Sequence, residues 1–319
     1  MRDLLLLLSD SQFHSGEELG QKLGVTRAAI WKKLKKLEAI GVAIHSVKGK
    51  GYRLPTELEL LSSEKIARSL AIETDQVKVC FEVDSTNSEL KRRIEQGCTL
   101  PLIVTAEKQT DGKGRRGRQW EGGVAQNIML SFGWRFESGT GAIEGLSLAV
   151  GVAVMRVLKR LGVQDIGLKW PNDVHINGQK ICGILLEMIA SSDVCQVIIG
   201  IGLNIKMVPQ DMKEVTQPWT DLHALLDATP SRNEVVTLLS QELTKVCQMF
   251  DQGLGMASLL DEWVKYDILI GSEVMIQTGN RQEFGMVKGI SETGALIFDD
   301  GKTTRHLYGG EVSVRKQEH

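Results

Sequence analysis

The spacing of apolar positions divides the chain into three stretches of different texture. Up to residue 54 the pattern is helical and short. Residues 1–8 read as a leucine-rich helix, and Ser15-x-x-Glu18 is a capping box opening a second one with Leu19 and Leu23 on its apolar face. Thr26 caps a further helix through about residue 40, stopped by Gly41. There Ile30, Leu34 and Leu37 share one face, and Lys32, Lys33, Lys35 and Lys36 occupy the remainder. Residues 42–47, the turn Lys48-Gly-Lys-Gly51 and residues 52–54 then predict a hairpin with a basic tip. Helix, helix–turn–helix and basic hairpin together predict a winged helix over residues 1–60, with an acidic linker from Pro55 to Glu59.

The second stretch, residues 61–270, mixes both periods. It predicts a helix after Ser62, a strand over Val77–Val83, a helix entered through Asp84-Ser-Thr-Asn87, and strands over 102–107 and 127–136. A core helix over 143–161, a strand over 166–170, a turn at Asn177-Gly178, strands over 181–189 and 197–204, and helices over 233–252 and 256–267 follow. Lys169-Trp-Pro-Asn-Asp173 sets a proline against a strand and is expected at a strand end or sheet edge. Residues 206–219 hold two prolines and Trp219 with little periodicity, and are expected to be mobile. From 271 to 319 five short strands separated by glycine-containing turns predict a small barrel.

Composition narrows the classes. A chain of 319 residues with 42% apolar and 24% charged residues and a net charge of −2 is an ordinary multi-domain protein, neither disordered nor globally basic. Any nucleic-acid contact must be local. Between Thr26 and Arg53 there are eight lysines and arginines and one acidic residue, Glu38, the footprint of a DNA-binding face. Thr26, Arg27 and Ala28 at the recognition-helix start are placed at base edges. Lys32, Lys33 and Lys36, with Lys48 and Lys50 on the wing, are placed at phosphates. The five cysteines (80, 98, 182, 195 and 247) form no C-x-x-C and no cluster with histidine, which argues against structural zinc and suits a reducing cytoplasm. The leading apolar run is too short for a signal peptide, and residues 145–158 are too few to cross a bilayer.

The candidate chemistry centres on Gln109-Thr-Asp-Gly-Lys-Gly-Arg-Arg-Gly-Arg-Gln-Trp120, where glycines alternate with Lys113, Arg115, Arg116 and Arg118. Glycine lets backbone N–H groups approach an anion, and arginine forks match phosphate or carboxylate oxygens. We read it as a loop that orders over an anionic ligand; the plainer alternative is a solvated basic loop. Gly112, Gly114 and Gly117 spell G-x-G-x-x-G, but a strand rather than a helix follows, so a dinucleotide fold is rejected. Arg118-Gln119 in place of Lys-Ser/Thr rejects a Walker A loop.

Five landmarks in order, Asp84-Ser-Thr-Asn87, the Gln109–Trp120 loop, Lys169-Trp-Pro-Asn-Asp173, Lys180-x-x-Gly183 and Gly202-x-Asn204, resemble the bifunctional biotin protein ligase and biotin operon repressor family. The resemblance spans most of the chain. It implies an α+β multi-domain protein: a winged helix-turn-helix, a central mixed-sheet domain like class II aminoacyl-tRNA synthetases, and a C-terminal SH3-like barrel. It further implies that biotin and MgATP form biotinoyl-5′-AMP, that the biotinoyl group passes to a lysine of a biotin carboxyl carrier protein, and that an adenylate-bound homodimer binds a biotin operator. Carried over residue by residue, Ser85, Thr86, Asn87 and Gln109 would bind biotin, Ser85, Thr86 and Gln109 at its ureido end. Lys113, Gly114 and Arg115 would close over biotin and phosphate, Arg115 as a catalytic cation. Lys180 would bridge the biotin carboxylate and the α-phosphate. Trp219 and Asn204 would hold adenine, Lys169 and Asp173 would steer magnesium, phosphate or the incoming lysine, and Arg116 and Arg118 would stabilise the loop or phosphates. The dimer would use the 109–123 loop with residues 137–143 and 190–196. Without the resemblance, Ser-Thr-Asn reads as a plain helix cap and Lys180 as a solvated hairpin lysine. Lys113, where the family carries arginine, and Gln119, where a basic residue is common, depart from its pattern. Two rivals remain: a non-catalytic biotin sensor that represses transcription, and a lipoate-type ligase.

Overall fold

The computed structural model describes residues 1–137, 143–190, 195–212, 214–279, 281–310 and 312–316. The N-terminal unit runs α1 (Arg2–Leu8), α2 (Gly16–Leu23), α3 (Arg27–Ala39), β1 (His45–Val47) and β2 (Gly51–Arg53). Ser15 Oγ accepts from the Glu18 amide and Thr26 Oγ1 from the Ala29 amide, so both N-caps form, but the box at Ser15 is half made, the Glu18 carboxylate bonding His14 and Lys22 instead. The hairpin is shorter than the sequence suggests. Val42 is spent on ending α3, its N–H donating to Leu37 O at 3.0 Å, and Val42 and Ile44 pack on the winged-helix core.

That hairpin is held at its base by His14, whose N–H and C=O both bond Tyr52 at 2.9 Å. Burial lowers the His14 imidazole pKa, but the Asp10 and Glu18 carboxylates outweigh it, leaving the ring raised above the ordinary 6.5. A raised folded pKa stabilises fully below the unfolded value and is lost as pH rises through the folded one. Protection of the Tyr52 amide from hydrogen exchange, corrected for intrinsic rates, is therefore expected to fall between pH 6 and pH 8. A flat profile would remove His14 from the account.

The centre is built from α4 (Ser63–Leu70), β3 (Val77–Val83), α5 (Thr86–Glu95), β4 (Leu102–Gln109), β5 (Asn127–Phe136), α6 (Leu146–Arg160), β6 (Ile166–Lys169), β7 (Asp173–Ile176), β8 (Gln179–Ala190), β9 (Cys195–Asn204), α7 (Leu222–Leu225), α8 (Arg232–Asp251) and α9 (Leu260–Tyr266). The sheet order is β3-β4-β5-β9-β8-β7-β6, with β3 and β4 parallel and the other pairs antiparallel. Alternation along β9 assigns its faces. Val197, Ile199, Ile201 and Leu203 join the main core with α6 and α8, while Ile198 packs with Leu90 and Ile94 of α5. On that second face the strand then turns to Gly200, Gly202 and Asn204, leaving a low floor beyond the end of α5.

Of residues 206–219, expected to be mobile, the described ones (206–212 and 214–219) make hydrogen bonds around a 3₁₀ turn, Pro209–Met212. Met207 N–H donates to Asp221 Oδ2 at 2.7 Å, Val208 N–H to Gln126 Oε1 at 3.0 Å, and Lys180 N–H to Pro218 O at 2.9 Å. These acceptors, two side chains and one backbone carbonyl, lie outside any local period.

The C-terminal unit holds β10 (Glu273–Thr278), β11 (Arg281–Ile290), β12 (Leu296–Asp299), β13 (Thr304–Leu307) and β14 (Val312–Lys316), antiparallel in the order β13-β12-β11-β10-β14. Its apolar residues, Val274, Ile276, Val287 and Phe298 among them, belong to the main core cluster.

The winged helix is seated by a buried node. Glu107 is wholly buried and pairs with Arg232 at 2.6 Å, while its other oxygen accepts the Leu61 N–H at 2.6 Å. Arg232 also donates to Asn127 O and Glu59 O, and the Glu59 carboxylate accepts from Ser231 Oγ, the Arg232 amide and Asn233 Nδ2. Above it Val124 and Ala125 are buried in the winged-helix core beside Leu4, Leu5, Leu8 and Leu60.

Candidate functional site

Strand register assembles the site. Met129, Gly202, Gly183, Asp173 and Lys169 are successive cross-strand partners on β5, β9, β8, β7 and β6. Neighbouring rows set Ser131 against Gly200 and Asn127 against Asn204. The glycines are required by what lies on them. A Cβ on Gly202 would enter the Trp120 indole, one on Gly183 would come to 3.0 Å from that ring, and one on Gly200 to 2.6 Å from Asn87 Oδ1.

Over this floor lies an inner cavity lined by Ser85, Thr86, Asn87, Gln109, Lys113, Gly114, Arg115 and Lys180, together with Trp120, Met129, Asn172 and the three glycines. The residues expected at biotin are thus brought together. Gln109 Oε1 accepts from both the Thr86 N–H (2.7 Å) and its hydroxyl (3.0 Å), so a side chain from β4 caps α5. Ser85 occupies the N-cap position, is buried, and does not use its hydroxyl as a cap, which removes the plain-cap reading. Ser131 Oγ lies 2.8 Å from Thr86 Oγ1 and 2.5 Å from Asn87 Oδ1, and Asn87 Nδ2 donates to Glu187 Oε2 at 2.6 Å. A prearranged polar end results.

At the other end Lys180 Nζ stands 2.8 Å from Asp173 Oδ1 and 5.8 Å from the Trp120 ring centroid. The ion pair is close but off the hydrogen-bond direction, since Asp173 Oδ1 has no hydrogen-bond partner. Burial pushes the Lys169 ammonium below the usual lysine range; Asp173 opposes the shift, and Lys180, Arg315 and Arg118 reinforce it. One carboxylate therefore serves several cations, an arrangement suited to an arriving anion.

The basic loop is a compact hairpin. Lys113 bridges Gln119, the Gly114 N–H donates to Arg118 O at 2.7 Å, and Arg116 takes a left-handed turn at φ 59°. The two departures from the family pattern, Lys113 and Gln119, are thus backbone partners, both exposed. Gly112 must lack a Cβ because Trp120 O and Gln109 Nε2 crowd it. Arg116 and Arg118 are exposed and line an outer cleft of about 690 Å³ between the loop, Pro171, β8 and Gly309-Gly310. Arg115 borders both cavities, and burial lowers its pKa despite Asp173.

Lys169, Asp173, Asn204 and Trp219 line neither cavity. Trp219 is instead fixed beside Lys180 by a parallel bridge. Asn204 Nδ2 donates to Thr220 O, while its Oδ1 and that of its cross-strand partner Asn127 are buried without partners, as is Trp120 Nε1. The sequence pattern assigns no role to Asn127 or Trp120; a polar Asn127 at a strand start is the signal it offers. Of the segments expected at a dimer interface, 138–142 and 191–194 lie outside the described residues.

On the DNA-facing unit Thr26, Arg27, Ala28, Lys32, Lys36, Lys48 and Lys50 are exposed and Lys33 is half-buried. Lys35 is engaged by Glu38 at 2.7 Å, and Lys50 lies 5.9 Å over the Phe13 ring. Among the described residues no helix is long and apolar enough to cross a membrane.

Family models match at three places: an HTH domain over 1–53, the Biotin/lipoate A/B protein ligase family over 80–204, and the Biotin protein ligase C terminal domain over 269–315. The chain is 37% identical over 316 residues to the Bifunctional ligase/repressor BirA of Escherichia coli, covering 99% of this chain and 97% of that protein. To the protein of the same name from Bacillus subtilis it is 29% identical, covering 98% of each. A solved biotin protein ligase from Aquifex aeolicus, in complex with biotin and ATP, superposes with a TM-score of 0.65 at 26% identity over 76% of this chain and 99% of that one.

Proposed function

Since this chain belongs to the family of bifunctional biotin ligases and repressors, we propose that it activates biotin with MgATP and transfers it to a carrier-protein lysine. A biotin carboxylate oxygen attacks the α-phosphorus, the bond to the β-phosphate oxygen breaks, and pyrophosphate leaves. The carrier amine, in its neutral form, then attacks the acyl carbonyl of biotinoyl-AMP and releases AMP and a proton. Magnesium enters with ATP as part of the substrate. The observation that carries the reading is Lys180, set between the polar biotin end of the inner cavity and the cation group around Asp173. From there one ammonium reaches both reacting anions.

In this reading the Thr86–Gln109–Ser131–Asn87 network meets the ureido group and Trp120 lies along the bound ligand. The free carbonyls of Asn127 and Asn204 take the adenine amine, a donor that supplies what both lack. Lys169 and Asp173 steer phosphate, and Trp219 covers adenine. The domain boundaries are 1–60, 61–270 and 271–319, and the adenylate-bound homodimer represses from an operator. Biotin-dependent exchange of labelled pyrophosphate into ATP, with lipoate in parallel, tests the ligase. Exchange with lipoate alone, or tight adenylate binding without exchange, would overturn it in favour of the lipoate-type enzyme or the sensor.

The DNA arm has its own test. Lys36→Ala should lower affinity about equally for all sequences and reduce the slope of log K against log salt by about 1. Lys35→Ala should change the slope less, because Glu38 already neutralises that ammonium. Equal slopes for wild type and Lys36→Ala would remove this helix from the phosphates.

A further inference from the structure

We propose that the C-terminal sheet latches the basic loop through Arg115 and so governs how long the adenylate is retained; the retention half rests on the ligase reading above. Arg115 is the loop residue whose head group reaches the third domain. Its Nη1 donates to Asn172 Oδ1 at 3.0 Å, and its Nη2 contacts Gly309 O, with Gly310 O and Val312 O each at 3.4 Å. These acceptors are neutral and spread around a planar fork, a set that a lysine ammonium cannot span. Such an arrangement holds a shape and leaves the charge unneutralised.

The receiving turn is itself fixed to the catalytic domain. A Cβ on Gly309 would lie 3.1 Å from Pro171 Cβ, and Trp170 Nε1 donates to Gly294 O of the C-terminal domain at 3.0 Å. Trp170-Pro171-Asn172 therefore carries the third domain on one side and supplies Asn172 to the guanidinium on the other. Because Arg115 borders both the inner cavity and the outer cleft, its side chain ties down the wall between them. Lifting that wall requires releasing the C-terminal carbonyls.

The test crowds the turn at the edge of the outer cleft and leaves the lining of the inner cavity unchanged. Gly309→Val, with Gly309→Ala as the milder form, pushes the turn off Pro171; Arg115→Lys removes the fork; Tyr308→Ala, at an exposed neighbour, is the control. In the ligand-free full chain, trypsin cleavage after Arg116 and Arg118 should become about tenfold faster in Gly309→Val, by less in Gly309→Ala, and stay unchanged in Tyr308→Ala. Release of preformed biotinoyl-AMP should quicken by a similar factor, and adding Gly309→Val to Arg115→Lys should change either rate less than about twofold, as expected when both break one contact. Wild-type rates in folded Gly309→Val, or effects that multiply in the double variant, would overturn the latch. The proteolysis arm needs no ligand, so it decides the latch even if pyrophosphate exchange fails.

Discussion

Replacing Lys180 by alanine is expected to lower biotin-dependent pyrophosphate exchange by about 10²–10³-fold, the usual cost of removing a preorganised group at a developing charge. The ammonium stands 2.8 Å from Asp173 at the rim of a cavity whose other end is already satisfied by Gln109 and Ser131. Its loss leaves carboxylate and α-phosphate to repel each other with no cation between them. Lys180→Arg should recover part of the rate, since charge returns at a different reach. Stability should hardly change, because Asp173 keeps Lys169 as its cross-strand neighbour. A loss below about tenfold would make Lys180 a structural partner of Asp173 and return the search for the bridging cation to Lys113 and Arg115.

Arg232→Met should have the largest effect on stability, about 3–5 kcal/mol, because it strands the wholly buried Glu107 carboxylate. Unfolding in urea measures it. The double variant Glu107→Gln with Arg232→Met should regain much of the loss, since both charges leave together. Additive losses would show that Arg232 matters through its bonds to Asn127 O and Glu59 O instead.

The sequence announced the site better than it announced what joins the units. Ser85, Thr86, Gln109, Lys113 and Lys180, drawn from separate short motifs, line one cavity, and β3 and β5 were legible because apolar alternation is local. The pattern ends the strand at Glu107, yet β4 runs on to Gln109. A carboxylate looks like a strand terminator until a guanidinium 125 positions away is known to meet it. Long-range pairing has no period. The same reason hid the long-range bonds at Met207, Val208 and Pro218 and the contact between Arg115 and Gly309, 194 positions apart.

The seating of Val124 and Ala125 among the leucines of the winged helix bears on how the protein can be taken apart. Cutting the chain near residue 60 would not free a tidy catalytic fragment. It would leave those two side chains, which follow shortly after Trp120, as a bare greasy step beside Phe81. A fragment so made should be poorly soluble, and its basic loop would lose its downstream anchor. Modularity, in this chain, ends at that step.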